Sequence, residues 1–271
     1  MGRPKKPTVA DAVGFWKAAK LRDGSLGRTT VYFAEKFLDK MGKAKVLELT
    51  GADITNYVDR GQGSPAQRRE INTVKGIVNF YRQMHGHQPI YAQRPRDGKG
   101  RSRWLSVEER ERFLAACPPE IAPLVTGLFF TGARRGELEK LRPTSVDYRD
   151  RLLRLESRKG GRGLRERVIP IHDRLWEYVK DTEGQKLVFP DPKGKQWDGD
   201  AFRDIWWNVV VSLGMTDFLP HDARHTFASE LVRQGVGLRQ VADLLGHSSL
   251  AMVYRYSHVD LEDKRSVVLQ L

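Results

Sequence analysis

The sequence predicts a mainly α-helical protein with one small β-sheet in its second half. Apolar residues recur at three- and four-residue spacing through most of the chain, which is typical of amphipathic helices. Only residues 152–171 contain two short segments typical of strands, with a glycine-rich turn between them. The length of 271 residues is enough for two domains. We therefore expect two domains, of which only the second contains strands.

Residues 8–92 are predicted to form a helical domain of four helices, preceded by a basic tail at residues 1–7. Gly42 is expected to end the second helix. Ser64 and Pro65 are expected to begin the fourth helix, because proline in the first turn has no helical hydrogen bond to lose. The apolar positions with helical spacing are Val9, Val13, Trp16, Val31, Phe33, Phe37, Met41, Ile54, Val58, Ile71, Val74, Ile77, Val78 and Tyr81.

A basic segment, residues 93–103 (QRPRDGKGRSR), separates the two halves of the chain. It carries five basic residues, and its proline and two glycines disfavour a regular helix or a buried strand. It is predicted to be an interdomain linker that could lie along a phosphate backbone.

Residues 104–271 are predicted to form the second domain. Ser106 and Glu109 have the spacing of a capping box, which begins a helix that runs to about residue 116. Helices are also predicted over residues 121–130 and 134–141. The strands are expected at residues 152–156 and 167–171.

From residue 201 to the end the pattern is helical again. Gly214, Gly235 and Gly246 are the expected breaks between its helices.

The charge balance favours a nucleic-acid partner. Lys plus Arg number 47 against 34 Asp plus Glu, a formal net charge of +13, although a solvated basic surface would have the same composition. The single cysteine excludes an intrachain disulfide. The longest nearly apolar stretch, residues 121–133, is too short to span a bilayer, and no secretory signal is visible. We expect a cytoplasmic protein without a membrane partner.

Motifs for nucleotide and metal binding are missing from the sequence. It contains no GxxxxGK[ST], no HExxH, no EF-hand loop and no convincing GxGxxG after a strand. We also find no strong candidate cluster of carboxylates of the kind that two-metal nucleases need. The sequence therefore predicts no cofactor and no metal site.

Five blocks of the second domain occur in an order that resembles the tyrosine recombinases, the phage integrase family. The likeness covers nearly the whole chain, and Tyr256 lies nine positions after His247, as in that family. The blocks are TGARRGEL at residues 131–138, Lys159 in the glycine-rich turn, HDARHTFAS at residues 221–229, LGHSS at residues 245–249 and RYSH at residues 255–258.

The resemblance implies a C-shaped clamp on double-stranded DNA, built from a helical core-binding domain and a catalytic domain. It implies site-specific recombination through a 3′-phosphotyrosyl intermediate, by a tetramer on two DNA sites near the nucleoid of a prokaryote or phage host. An accessory DNA-bending protein is a further possible partner. The implied catalytic residues are Arg134, Lys159, His221, Arg224, His247 and Tyr256.

Each implied role suits the chemistry of the residue. Arg134 and Arg224 can hold a phosphate by paired charge-assisted hydrogen bonds. Lys159 would protonate the departing 5′-oxygen, since an ammonium gives up its proton more readily than a guanidinium. His221 fits proton transfer near the nucleophile, and His247 fits a hydrogen bond to the phosphate.

The sequence offers two candidates for the nucleophile. Tyr254 and Tyr256 would point about 200° apart on a helix, so only one can face the phosphate, and the spacing from His247 selects Tyr256. Met252 and Val253 stand where the family often has small hydroxyl residues.

Four other charged or titratable residues near these motifs are expected to have structural roles. Glu137 is expected to orient an arginine. Arg135 and Arg142 are expected to be surface charges, and His225 to pack or cap rather than react.

Three alternative functions remain open from the sequence. A type IB topoisomerase-like enzyme would use similar chemistry to relax DNA. A non-catalytic DNA-binding protein would keep the fold alone, although all six candidate catalytic groups are present. A metal-dependent nuclease is the third, and a chelator would abolish its activity.

Overall fold

The computed structural model describes residues 6–58, 64–93, 103–158, 164–247, 249–254 and 256, with the side chains of residues 157, 158, 164 and 165 excepted. Contacts divide the chain into two compact units, Met1–Gly100 and Arg101–Leu271. Among the described residues the fold is mainly helical with one small sheet, as the sequence predicts, but the sheet has three strands where two were expected.

The first unit contains the four predicted helices. Capping boxes begin α1 at Thr8 and α4 at Ser64, where a side-chain oxygen accepts a hydrogen bond from the backbone of the first turn. Their apolar faces meet in one core, in which Phe37, Ile71 and Val74 are buried. The helices are α1 (Val9–Arg22), α2 (Arg28–Met41), α3 (Gly51–Val58) and α4 (Pro65–Met84).

The second unit contains the remaining helices. Ser106 and Glu109 form the predicted capping box at the start of α5. Gly214, Gly235 and Gly246 all have positive φ and follow three of the helices, which confirms the predicted breaks. The helices are α5 (Val107–Ala116), α6 (Ala122–Thr131), α7 (Arg135–Leu138), α8 (Asp173–Val179), α9 (Gly199–Ser212), α10 (Pro220–Arg233) and α11 (Leu238–Leu245), with 3₁₀ turns at Pro143–Ser145 and Leu250–Met252.

The sheet is antiparallel, in the order β1 (Val146–Asp147), β2 (Leu152–Arg158) and β3 (Leu164–Pro170). Leu153 pairs with Ile169, and Leu155 pairs with Arg167. The glycine-rich turn predicted between the strands, residues 159–163, lies outside the described residues.

Two apolar clusters stabilise the second unit. The larger one packs aromatic rings of α5, α6 and α9, including Phe113, Phe129 and Trp206. The smaller one joins α10 and α11 to the last described residues and includes Val241, Leu245 and Tyr256. No helix in the described part of the chain is long and apolar enough to cross a membrane.

Candidate active site

Arg224 lies at the centre of the candidate site, in the first turns of α10. Only 2% of the residue is exposed. Its guanidinium donates from Nη1 to the carbonyl of Gly132 (2.6 Å) and from Nη2 to the carbonyl of Leu245 (2.5 Å). Gly132 ends α6 in the left-handed region, at φ +59°, and Leu245 is the last residue of α11. Arg224 therefore connects α10 to the C-terminal ends of α6 and α11.

The guanidinium of Arg224 lies near two other cationic groups. Burial, together with the repulsion of Arg134 and Arg167, lowers the pKa of Arg224 to about 10, while Glu137 and Tyr256 act in the opposite direction. The guanidinium is still charged at neutral pH. A buried cation beside two other cations favours an anion such as a phosphate.

Arg134 stands directly before α7, and its side chain is 40% exposed. Its Nη1 donates to Oε1 of Glu137 (2.8 Å), and its backbone N–H donates to Oε2 of the same carboxylate (3.0 Å). The expectation that Glu137 orients an arginine is confirmed. Arg134 keeps part of its guanidinium open to solvent, as a phosphate ligand must.

Glu137 also binds a second arginine, which the sequence analysis missed. Arg167 on β3 donates from Nη2 to Oε2 of Glu137 at 2.5 Å. Burial raises the pKa of Glu137, but the hydrogen bonds and charges of Arg167 and Arg134 more than offset this and hold the pKa below its usual range. One carboxylate therefore fixes two guanidinium groups.

Tyr256 is buried, with 1% of its surface exposed, in the apolar cluster of α10 and α11. Its hydroxyl is 2.6 Å from Nδ1 of His225. Tyr254, the other candidate nucleophile, is 59% exposed. The two tyrosines thus lie in different environments, and the hydroxyl of Tyr256 contacts a histidine of the motif block.

A second histidine of the same motif block, His225, contacts Tyr256. His221 is exposed and its ring packs edge-on against that of His225, with the centroids 5.0 Å apart. The residue in hydrogen-bond contact with Tyr256 is His225, which the sequence analysis expected only to pack or cap. His221 and His225 are one turn apart on α10, so they share a face and the motif spacing alone could not decide between them.

His247 follows α11 directly. Helix α11 ends in a Schellman motif, in which Gly246 has φ +65° and donates to Asp243, and His247 donates from its backbone to Ala242 (2.8 Å). His247 is half-buried and lines an open cavity of about 830 Å³ with Arg167 and Gly246. Lys159, the expected acid, lies outside the described residues.

The structure thus places Arg134 and Tyr256 within electrostatic reach of Arg224, and His247 lines the same cavity as Arg167. Arg135, expected to be a surface charge, keeps 31% of its side chain exposed. Its Nε pairs with the buried carboxylate of Glu139 at 3.0 Å, and its guanidinium lies over the ring of Phe202.

The sequence pattern could have shown that Arg167 lies on the buried face of its strand. Alternation along a strand places Arg167 on the same face as Ile169 and Ile171, and all three are buried, whereas Val168 is 46% exposed. A charged residue at an inward position needs partners. In the described part of the chain, no three His, Cys, Asp or Glu side chains come together to hold a metal ion.

Comparison with known proteins places this site in a family. The model of the phage integrase family matches residues 103–263. Tyrosine recombinase XerD of Pseudomonas aeruginosa is 30% identical over 222 residues, which cover 71% of each chain. A tyrosine recombinase of Thermosipho africanus is 32% identical, but that match covers 53% of this chain and only 51% of the relative.

Solved structures share the fold. The Tn1549 transposon integrase in complex with transposon right-end DNA superposes with a TM-score of 0.71 at 17% identity, covering 98% of this chain and 99% of that one. XerH recombinase, in a post-cleavage complex with palindromic difH substrate, gives 0.63 at 17% identity, covering 96% and 84%. The family model spans more than half of the chain and includes the residues of the site just described, so the chain belongs to the phage integrase family.

Proposed function

We propose that this chain recombines double-stranded DNA at specific sites, through a covalent link between Tyr256 and a 3′-phosphate. Membership in the phage integrase family gives the class of reaction, DNA strand transfer by a tyrosine. One observation carries the residue assignment: the buried hydroxyl of Tyr256 meets a histidine next to Arg224 in the chain.

Arg224 and Arg134 would hold the two non-bridging oxygens of the scissile phosphate. Both would stabilise the negative charge that develops on these oxygens when phosphorus is attacked, and fixed donors of this kind contribute roughly 10² to 10³ in rate. Because the guanidinium groups supply the compensating positive charge, the proposed mechanism needs no metal. His247 would add a hydrogen bond to the same phosphate.

The proposed transfer of the phosphate from the 5′-oxygen to Tyr256 needs no added reagent, because every proton and bond is accounted for by the protein and the DNA. The Oη of Tyr256 attacks phosphorus and its proton passes to Nδ1 of His225, 2.6 Å away. The bond from phosphorus to the 5′-oxygen breaks, and Lys159 gives that oxygen a proton. His221, exposed beside His225, would pass the proton on to solvent. Attack by a free 5′-hydroxyl reverses the steps and rejoins the strand.

Tyr256 must become accessible before it can react, because only 1% of it is exposed. The segment that carries it would therefore shift when DNA binds, so that a phosphate reaches the hydroxyl while the hydroxyl keeps its contact with Nδ1 of His225. Until then, Tyr256 is shielded from any phosphate.

The assembly and domain roles complete the proposal. Residues 8–92 would be the core-binding domain and residues 104–271 the catalytic domain, joined by the linker at 93–103 and preceded by the tail at 1–7, so that the two domains clamp the duplex. The Tn1549 integrase and XerH were solved with DNA, which supports a duplex as the partner. Four copies would act on two sites in the nucleoid, with or without a DNA-bending protein.

Covalent capture tests the chemistry. Wild type, Tyr256→Phe and Tyr254→Phe are incubated in chelator with a pool of nicked duplexes of randomised sequence, and the adducts are resolved on a denaturing gel and sequenced. We expect adducts from wild type and Tyr254→Phe and none from Tyr256→Phe. An adduct of Tyr256→Phe, or DNA binding without any adduct from wild type, would overturn the proposal. Sedimentation of the protein on captured duplexes tests the tetramer.

A further inference from the structure

Arg167 occupies a position where a strand normally places an apolar residue. Among the described side chains of β3, Arg167 and Ile169 are buried, while Val168 between them is 46% exposed. Only 7% of the Arg167 side chain reaches solvent. Burial of a cation costs several kcal/mol unless partners compensate it. Its partners therefore indicate why the residue is inside.

The two hydrogen bonds of Arg167 lead to two parts of the active site. Nη2 binds the carboxylate of Glu137, which in turn holds the guanidinium and the backbone N–H of Arg134. Nε donates to the carbonyl of Leu244 at 2.9 Å, three residues before His247. One side chain thus joins the phosphate ligand Arg134 to the end of α11.

The end of α11 is held by two arginines on adjacent carbonyls. Arg167 binds the carbonyl of Leu244, and Arg224 binds that of Leu245. The last carbonyls of a helix have no helical partner and carry the negative end of its dipole, so both guanidinium groups are favoured there. The backbone that leads into His247 is fixed by these bonds.

Direct packing adds to the hydrogen bonds. A Cβ atom built on Gly246 would lie 3.1 Å from Cδ and 3.2 Å from Nη1 of Arg167, so the arginine rests on the glycine that precedes His247. Nη1 has no acceptor in the described part of the chain. A buried donor without an acceptor costs stability, which indicates that this arginine is not optimised for stability alone.

From these contacts we propose that Arg167 is a positioning residue for catalysis, which sets Arg134 through Glu137 and sets His247 through the end of α11. This inference rests on the proposed function, because Arg134 and His247 matter only if they bind the scissile phosphate. Arg167 itself need not contact DNA. A displacement of a phosphate ligand by about 1 Å can cost on the order of 10²-fold in rate.

The test compares Arg167→Met and Arg167→Lys with Arg203→Met. Arg203 is an exposed arginine of α9 that pairs with Asp200, so its variant removes the same charge elsewhere. Adduct formation is measured on a duplex captured by wild type. We expect about a 10²-fold loss for Arg167→Met with DNA binding retained, a smaller loss for Arg167→Lys, and no change for Arg203→Met.

The pH profile separates positioning from a general loss of structure. Arg167 lowers the pKa of Glu137, so without it that pKa rises and the acid limb of adduct formation moves to higher pH. Arg167→Lys, which keeps a charge near Glu137, should move the limb less. If Arg167→Met lowers the rate at every pH equally, or if Arg167→Lys equals Arg167→Met in both rate and profile, the proposal is wrong.

A DNA-independent measurement keeps this test distinct from that of the proposed function. Carbon-13 NMR of labelled glutamate carboxyls follows the titration of Glu137 in the free protein, with Glu137→Gln to assign its signal. We expect a higher pKa in Arg167→Met and an unchanged one in Arg203→Met. An unchanged titration in a folded Arg167→Met protein would refute the link, whether or not wild type forms adducts. Should Arg167→Met not fold, Arg167→Lys provides the same comparison.

Discussion

The hydrogen bond between His225 and Tyr256 is expected to have a measurable coupling energy. Both groups are buried, and the hydroxyl and Nδ1 are 2.6 Å apart. A hydrogen bond inside a protein contributes a net 0.5–1.5 kcal/mol, roughly, to the free energy of unfolding. Because water is excluded here, we expect a value near the upper end, about 1–1.5 kcal/mol.

A double-mutant cycle isolates this energy from the other contacts of both residues. Tyr256→Phe removes only the hydroxyl, and His225→Phe keeps a ring without its nitrogens. The free energy of unfolding of wild type, both single variants and the double variant is measured in urea at neutral pH. Tyr254→Phe is the matched control, since Tyr254 is 59% exposed and should change stability by less than about 0.5 kcal/mol.

Two results would refute this reasoning. The first is a coupling energy that does not differ from zero, which would mean that the hydroxyl and His225 do not bind each other in solution. The second is adduct formation by His225→Phe at the wild-type rate. Loss of a positioned proton acceptor should slow the step by roughly 10²-fold or more, so an unchanged rate would return the proton-transfer role to His221.

Three further predictions concern residues around the arginines. Gly132→Ala should lower the free energy of unfolding by about 2–4 kcal/mol, because φ is +59° and the added Cβ would overlap the ring of Phe227. Urea unfolding measures this loss. Gly246→Ala should cost about 1–3 kcal/mol, because φ is +65° and Arg167 must shift, and adduct formation should fall with it. Glu137→Gln should lose stability relative to wild type above the ordinary carboxyl pKa. Since the folded-state pKa of Glu137 is lowered, that difference should shrink as pH falls through it, as urea unfolding at several pH values would show.

Local signals in the sequence predicted most helices of the fold. The capping box at Ser106 is complete within four residues, and Ser64 is followed by a first-turn proline, so these short segments determine where α5 and α4 begin. The glycines after α9, α10 and α11 mark breaks because the left-handed conformation suits glycine. Such features need no information from distant parts of the chain.

Elements that depend on distant contacts were missed or misjudged. A helix was expected over residues 134–141, but α7 ends at Leu138, and the carbonyl of Leu141 accepts a hydrogen bond from Val188 instead. Strand β1 has two residues and exists through its pairing with β2. The helix α8 was not predicted, since its seven residues are too few for a clear periodicity.

The candidate site also has parts that the local sequence predicts and parts that depend on distant contacts. Motif order selected Arg134, Arg224 and Tyr256 as candidates, and these residue types suit the proposed chemistry. The contact of Tyr256 with His225 could not be predicted from spacing, because His221 and His225 share one face of α10 and the contact depends on how the last described residues pack.

The arginines of the site explain why it would attract a phosphate. Three guanidinium groups, those of Arg134, Arg167 and Arg224, surround one carboxylate, that of Glu137, so three positive charges and one negative leave two in excess. Arg224 donates to backbone carbonyls, whose dipoles orient the guanidinium without neutralising its charge. Had a second carboxylate held Arg224, the excess would be halved. The lowered pKa of Arg224 reports burial and cationic repulsion that a bound phosphate would relieve.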